Sequence, residues 1–322
     1  MTGSAKRPPL MIIAGPTATG KSDAAVAVAK RLDGAVISAD SMQVYRGMDI
    51  GSAKISADQM QGVDHYLLDC ADPTESWNVV RFQTLAREAA ARIHAQGKLP
   101  IVCGGTGFYI QALLYDIDFT PTKEDNAYRR QLEEIAAARG PEALHQMLKE
   151  RDPDSAAAIH PNNVKRIIRA LEFSEQSGSP ISAHNARERS KESVYRAAYV
   201  VLTMDREKLY ERIDRRVDIM MEQGLLEEVE RLRAMGLTSK DVSMQGIGYR
   251  QILDYMEGKY DLEEAVRLIK RDTRHFAKRQ LTWFRREKDV IWVNIDDYRS
   301  REALWDALCG IAESTLYGGT DE

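Results

Sequence analysis

Short apolar runs alternate with amphipathic stretches through the first third of the chain. Residues 10–14 (LMIIA), 35–39 (AVISA), 65–69 (HYLLD) and 100–103 (PIVC) each read as a buried strand. Between them, residues 21–31 and 79–95 repeat apolar positions at a helical period. Strands that alternate with helices and are apolar on both faces predict a parallel sheet covered on both sides. From about residue 121 to 190 the period is helical throughout. It breaks at Gly140-Pro141, Asp152-Pro153, His160-Pro161 and Gly178-Ser179-Pro180, which mark helix ends. Residues 199–203 (YVVLT) return to a strand that the pattern assigns to the first sheet. Long helices follow, residues 290–293 (VIWV) form a last strand, and a terminal helix closes the pattern. The expected class is α/β: a parallel-sheet core in residues 1–120 and 191–322, with an all-helical insertion at 121–190. The tail from Gly318 to Glu322 is expected to lack order.

One junction carries specific chemistry. Gly15, Pro16, Thr17, Ala18, Thr19, Gly20, Lys21 and Ser22 fit G-x-x-x-x-G-K-[ST] between a predicted strand and a predicted helix. Glycines let backbone N–H groups turn inward, and the helix N-terminus adds partial positive charge. Lys21 would contact phosphate oxygens and Ser22 would ligate Mg²⁺. The plain alternative is a strand-to-helix turn with no ligand. The motif implies pyrophosphate; it does not specify a nucleotide.

Other candidates are less specific alone. Asp40 ends the second strand and should sit beside the phosphate loop, because open α/β sheets bind ligands beyond the carboxyl ends of strands. It would act as general base, serve a metal, or only start a turn. Gly104-Gly105-Thr106-Gly107 ends another strand on the same sheet edge and reads equally as a ligand loop or a tight turn. Arg216 falls within the apolar stripe Leu209, Ile213, Val217, Met220. A buried cation needs a partner, either a core carboxylate or a departing pyrophosphate. Residues 265–288 hold nine Lys or Arg and two acidic residues. Arg267, Lys270, Arg271, Arg274 and Lys278 share one face there, and Lys165, Arg166 and Arg169 form a second basic cluster. Both read as an RNA backbone track or as solvated charged faces.

Composition narrows the classes. With 43% apolar and 29% charged residues the chain is of globular type. It has no run of about 18 apolar residues for a membrane span and no signal-like apolar segment near residue 1. Three cysteines and six histidines are scattered, which argues for a reducing, cytoplasmic setting without a disulfide framework or a zinc site. The net charge of −4 means that any polyanion must meet a local concentration of positive charge.

Taken together, the motifs resemble the tRNA dimethylallyltransferase (isopentenylpyrophosphate transferase) family. The resemblance rests on GPTATGKS at 15–22, DSMQVYRGMDIGSAK at 40–54 and GGTGFY at 104–109. It continues with IHPNNVKRIIRALE at 159–172, QGIGYRQ at 245–251 and TRHFAKRQLTWFR at 273–285, in family order over nearly the whole chain. It implies a P-loop NTPase-like core with a helical insertion that embraces the anticodon arm. It also implies a monomer that needs Mg²⁺ and uses dimethylallyl pyrophosphate as donor. The acceptor it implies is the exocyclic amine of the adenosine 3′ to the anticodon, in tRNAs reading U-initial codons. Asp40 then matches the general base, Thr17 a threonine at the reacting pyrophosphate, and Arg216 the arginine that stabilises leaving pyrophosphate. For tRNA contacts the resemblance implies Asp40, Ser41, Met42, Gln43, Thr106 and Arg129, then Lys165, Arg166, Ile167, Ile168 and Arg169. It adds Gln245, Gly246, Ile247, Gly248, Tyr249 and Arg250, with Arg274, Lys278 and Arg279 of the basic helix. Ser22 stands where threonine is frequent, and Lys165 where glutamine is common. No Cys/His pattern for the C-terminal zinc finger of eukaryotic members is present, so the chain is similar to the bacterial form. The rival readings are an adenylate isopentenyltransferase acting on free nucleotide, a small-molecule kinase, and a non-catalytic RNA-binding NTP switch.

Overall fold

In the computed structural model, which describes residues 7–119 and 126–318, the apolar runs become parallel strands. β1 (Pro9–Ala14) leads through the glycine-rich turn into α1 (Lys21–Arg31). β2 (Gly34–Ser38), α2 (Ala57–Met60), β3 (His65–Tyr66), α3 (Val79–Ala95), β4 (Leu99–Gly104) and α4 (Gly107–Leu114) follow. Next come α5 (Asn126–Arg139), α6 (Pro141–Arg151), α7 (Pro153–Ala158), α8 (Val164–Ser177) and α9 (Ile181–Ser190). The chain continues with β5 (Arg196–Thr203), α10 (Arg206–Glu222), α11 (Leu225–Ala234), α12 (Tyr249–Met256), α13 (Leu262–Phe284), β6 (Val290–Asn294) and α14 (Arg301–Tyr317). It divides into two compact units: Met1–Asp116 with Ser193–Glu322, and Ile117–Glu192.

The first unit is one sheet in the order β3-β2-β4-β1-β5-β6, every pairing parallel. β1 shows why such a strand reads as a continuous apolar run. Leu10, Ile12 and Ala14 pack on one face with Phe82 and Ala86 of α3 and Ile110 of α4. Met11 and Ile13 pack on the other with Ala25 and Val28 of α1 and Leu308 and Ala312 of α14. Parallel strands bring all their carboxyl ends to one edge. The phosphate loop after β1, Asp40 after β2 and the glycine run after β4 therefore share that edge.

The run HYLLD yields only the two-residue β3. Leu67 (φ 63) and Asp69 (φ 49) take left-handed backbone, which cannot continue a ladder. α13 starts at Leu262 because Asp261 caps it, accepting the Glu264 N–H.

The second unit contains helices only, among the described residues. Pro141 and Pro153 each open a helix, where the missing N–H costs nothing. Leu132, Leu144, Leu148, Ile167, Ile168 and Leu171 form its core. Buried Asp152 accepts N–H and O–H from both Ser155 and Ser182, tying α7 to α9. The expected edge of the insertion at residues 120–121 falls on the segment 120–125, and most of the expected tail on 319–322. Both lie outside the described residues.

Candidate active site

The phosphate loop is braced by its own side chains. Thr19 Oγ1 donates to the Pro16 carbonyl at 2.9 Å, and Lys21 Nζ donates to the same oxygen at 2.6 Å. Gly20 enters α1 at φ 81, and Ala18 turns the loop at φ 67, a region L-residues seldom occupy. Such a turn, capped by a helix N-terminus, collects N–H groups as an anion seat. Desolvation by the surrounding protein pulls the Lys21 ammonium down to about 8, with Cys103 and Asp40 pulling up and Arg216 pulling down.

A pH dependence follows. Below about 8 Lys21 is already charged before an anion arrives. Above it the empty site holds a neutral amine, and a bound pyrophosphate, by raising that pKa, must draw in a proton. Pyrophosphate affinity measured with a chelator present should therefore fall above that pH, approaching about tenfold per pH unit. Calorimetry in buffers of different ionisation enthalpy should detect the uptake. Lys21→Arg, whose guanidinium does not titrate there, should show correspondingly less.

Asp40 does start a turn: its Oδ1 accepts the Met42 N–H at 2.8 Å and the Gln43 N–H at 3.3 Å. That fixes the carboxylate and leaves Oδ2 without a hydrogen bond among the described residues. Arg216, half-buried on α10, reaches the same space. Its Nη1 lies 3.5 Å from Thr17 Oγ1 and its Nη2 3.5 Å from the Ala53 carbonyl. Burial draws the guanidinium below its usual range, while Asp40 and Asp23 act the other way. No core carboxylate is within ion-pair distance of Arg216 among the described residues. The hydroxyl of Thr106, at the N-cap of α4, makes no capping bond. These groups line one cavity of about 1160 Å³, which runs from Thr17, Lys21 and Ser22 past Asp40 and Arg216 to Gln245, Arg250, Phe276 and Arg279.

The loop that carries Ala53 is itself anchored. Glu228 of α11, fully buried, accepts the N–H groups of Asp49, Ile50 and Gly51 at 2.9, 2.9 and 3.0 Å, and the Tyr249 hydroxyl at 2.8 Å. Removing one acceptor strands the buried Tyr249 hydroxyl and three partly buried N–H groups, at about 1–3 kcal/mol for each donor left buried. Glu228→Ala should therefore lower unfolding free energy by about 3 kcal/mol or more, read from denaturant melts. Tyr249→Phe, which removes one donor and keeps the acceptor, should cost less.

The residues implied for tRNA contact divide into three groups. Ser41, Met42, Gln43, Thr106, Gln245, Gly246, Ile247, Arg250 and Arg279 line the cavity with Asp40. Of these, Gln43 is already engaged: its amide accepts from Ser38 Oγ and donates toward the Ser52 and Ala53 carbonyls. Lys165, Arg166, Arg169 and Lys278 are exposed. The others are buried or already paired within the protein. Ile167 (0%) and Ile168 (4%) are core residues of the helical unit, because α8 turns that face inward. Gly248 is buried at the start of α12, and Tyr249 spends its hydroxyl on Glu228. Arg129 makes a bidentate pair with buried Glu172, at 2.9 and 2.7 Å. Arg274 pairs with Asp214 of α10, as Lys270 does with Asp218, so part of the basic face holds α13 to α10. Arg267 and Arg271 pair with Glu264 and Asp272.

For Mg²⁺, the donor set is the test. Among the described residues no three His, Cys, Asp or Glu side chains gather as an all-protein cage. The cavity does bring the Ser22 hydroxyl beside the anion seat, with Asp23 and Asp40 near it. One hydroxyl plus phosphate oxygens is the hard, oxygen-only arrangement this ion takes, so the residues fit.

A family model described as IPP transferase matches residues 43–287, and one described as isopentenyl transferase matches residues 8–77. The chain belongs to the IPP transferase family. A tRNA dimethylallyltransferase of Lachnoclostridium phytofermentans is 56% identical over 92% of this chain and 95% of its own. The tRNA isopentenylpyrophosphate transferase crystal structure from Bacillus halodurans is 44% identical, covering 96% of this chain and 98% of that one, with a TM-score of 0.71. A eukaryotic dimethylallyltransferase captured acting on tRNA matches at 28% identity and a TM-score of 0.79, over 95% of this chain and 78% of that one. The fold class, a P-loop NTPase-like parallel sheet with added helices, is common to this chain and those structures.

Three side chains of this IPP transferase were not singled out by sequence reasoning. Glu228 and Gln280 are polar residues at apolar-stripe positions of amphipathic helices, which is the signal that marks them. Lys54, whose Nζ joins Asp49, Asp69 and the Tyr45 carbonyl within 2.7 Å, carries no such signal.

Proposed function

We propose that this chain transfers the dimethylallyl group of dimethylallyl pyrophosphate to the exocyclic amine of an adenosine in tRNA. The acceptor is the adenosine 3′ to the anticodon in tRNAs reading U-initial codons. The observation that carries the reading is the opening of an anion seat, a free carboxylate oxygen and an inward-facing arginine into one cavity that Arg250 and Arg279 also line. The names of the relatives support it.

In this reading the donor's pyrophosphate sits on the N–H groups of the loop and on Lys21. The adenosine leaves the anticodon stack and enters past Arg250 and Arg279. The amine nitrogen attacks the allylic carbon as its bond to oxygen breaks, and the electron pair leaves with pyrophosphate. Arg216 and Lys21 stabilise the growing negative charge. Asp40 accepts the amine proton on Oδ2, its other oxygen being fixed by the Met42 and Gln43 N–H groups. Ser22 would hold Mg²⁺, which when bound neutralises phosphate charge. The exposed Lys165, Arg166 and Arg169 of the helical unit, with Lys278, take the tRNA backbone.

Mass spectrometry of nucleosides after incubation with donor and Mg²⁺ tests this. Isopentenyladenosine in tRNA, and none from AMP, is the expected result. Product from AMP alone would indicate the free-nucleotide enzyme, and a phosphorylated acceptor from ATP would indicate a kinase.

A further inference from the structure

Gln280 lies on α13, one turn beyond the cavity-lining Phe276, and is buried to 6% exposure. Its amide spans two loops that come from different strands. Oε1 accepts the Thr17 N–H at 3.0 Å, and Nε2 donates to the Gly105 carbonyl at 3.0 Å. Thr17 is the loop residue whose hydroxyl faces Arg216, and Gly105 precedes Thr106, which lines the same cavity. The fit leaves no slack: a Cβ on Gly105 would come within 2.0 Å of Gln280 Nε2. Buried amides are ordinarily satisfied by whichever backbone is nearest. Here the two partners are 88 residues apart in sequence, on the loops that follow the neighbouring strands β1 and β4, and both loops line the cavity. The neighbouring Arg279 lines the cavity, so one helix turn both faces the cavity and holds the phosphate loop.

We infer that Gln280 is a positioning residue for the transfer reaction, clamping Thr17 and the Gly105–Thr106 turn at a fixed separation so that donor and acceptor meet in line. The inference rests on the transferase reading above. The clamp acts through the Thr17 peptide, which sets the Thr17 hydroxyl against Arg216 and the leaving oxygen. A donor misplaced by about 1 Å can lose about 10²-fold in rate while still binding.

The test uses the full-length protein with tRNA and donor, in single-turnover kinetics. Gln280→Met keeps volume and removes both hydrogen bonds. Its rate should fall about 10²-fold, with tRNA binding within about threefold of the wild type and the rate corrected for folded fraction. Gln280→Glu supplies a readout that a purely structural role would not give. The protonated carboxyl can accept from Thr17 and donate to Gly105, whereas the carboxylate turns a lone pair on that carbonyl. The ratio of variant to wild-type rate should therefore rise as pH falls through the new carboxyl's pKa, which burial raises. Gln280→Met turning over within about twofold of the wild type, or a flat ratio for Gln280→Glu, overturns the clamp. If Gln280→Met does not fold, the Gln280→Glu ratio decides alone. A wild type that makes no isopentenyladenosine under these conditions counts instead against the transferase reading.

Discussion

Asp40→Asn is expected to lower the single-turnover rate by about 10²–10⁴-fold while tRNA binding and the melting temperature stay near those of the wild type. The substitution separates two roles that one carboxylate combines. The amide oxygen of the asparagine can still accept the Met42 N–H and the Gln43 N–H, which in the wild type stand at 2.8 and 3.3 Å, so the turn survives. What is lost is the proton acceptor at Oδ2. Asp40→Ala removes both, so it should show the same loss of rate and an added loss of stability of about 1–2 kcal/mol. If Asp40 only starts the turn, the order reverses: Asp40→Asn would turn over almost normally and Asp40→Ala alone would be impaired. Rapid-quench assays with excess enzyme, beside thermal melts, distinguish the two.

The same residue illustrates what the sequence makes legible. The phosphate loop, the parallel sheet and the carboxyl-edge placement of Asp40 follow from local pattern, because strand period and glycine-rich turns are written within a dozen residues. The helix breaks in the second unit fall where Pro and Gly put them, between α5 and α9. What resists reading is partnership. Tyr249 and Ile167 sit inside motif strings that also hold exposed residues, and only helix phase decides which of them turn inward. Arg274 looks like a free cation until α10 brings Asp214 beside it, 60 residues away in sequence. Gln280 and Glu228 gain their meaning from loops 263 and 179 residues distant. A motif string therefore names a region of the site, and burial then sorts its members into those that touch a ligand and those that hold the wall.

At Arg216 that sorting has a large consequence for rate. An arginine in an apolar stripe is destabilising unless something repays its desolvation, and among the described residues no carboxylate lies at ion-pair distance. Its two protein contacts, at 3.5 Å to Thr17 Oγ1 and to the Ala53 carbonyl, stand at the outer limit of a hydrogen bond. Five donors with two weak neutral acceptors leave a guanidinium aimed at the anion seat with donors to spare. Such a group interacts most strongly with the state that carries the most negative charge, which is the transition state with pyrophosphate departing. Arg216→Gln should therefore lower the single-turnover rate by about 10²–10³-fold, with a much smaller change in donor affinity and none in tRNA affinity. Arg216→Lys should recover part of the loss, since it restores the charge without the planar fork. Because arginine stays charged across the working range, the wild-type rate should show no alkaline limb from this residue. The alkaline loss expected from Lys21, whose ammonium sits at about 8 before donor binds, falls instead on donor affinity. A loss in Arg216→Gln confined to donor affinity, with the bound complex reacting at the wild-type rate, would make Arg216 a ground-state anchor and leave leaving-group stabilisation to Lys21 and the loop N–H groups alone.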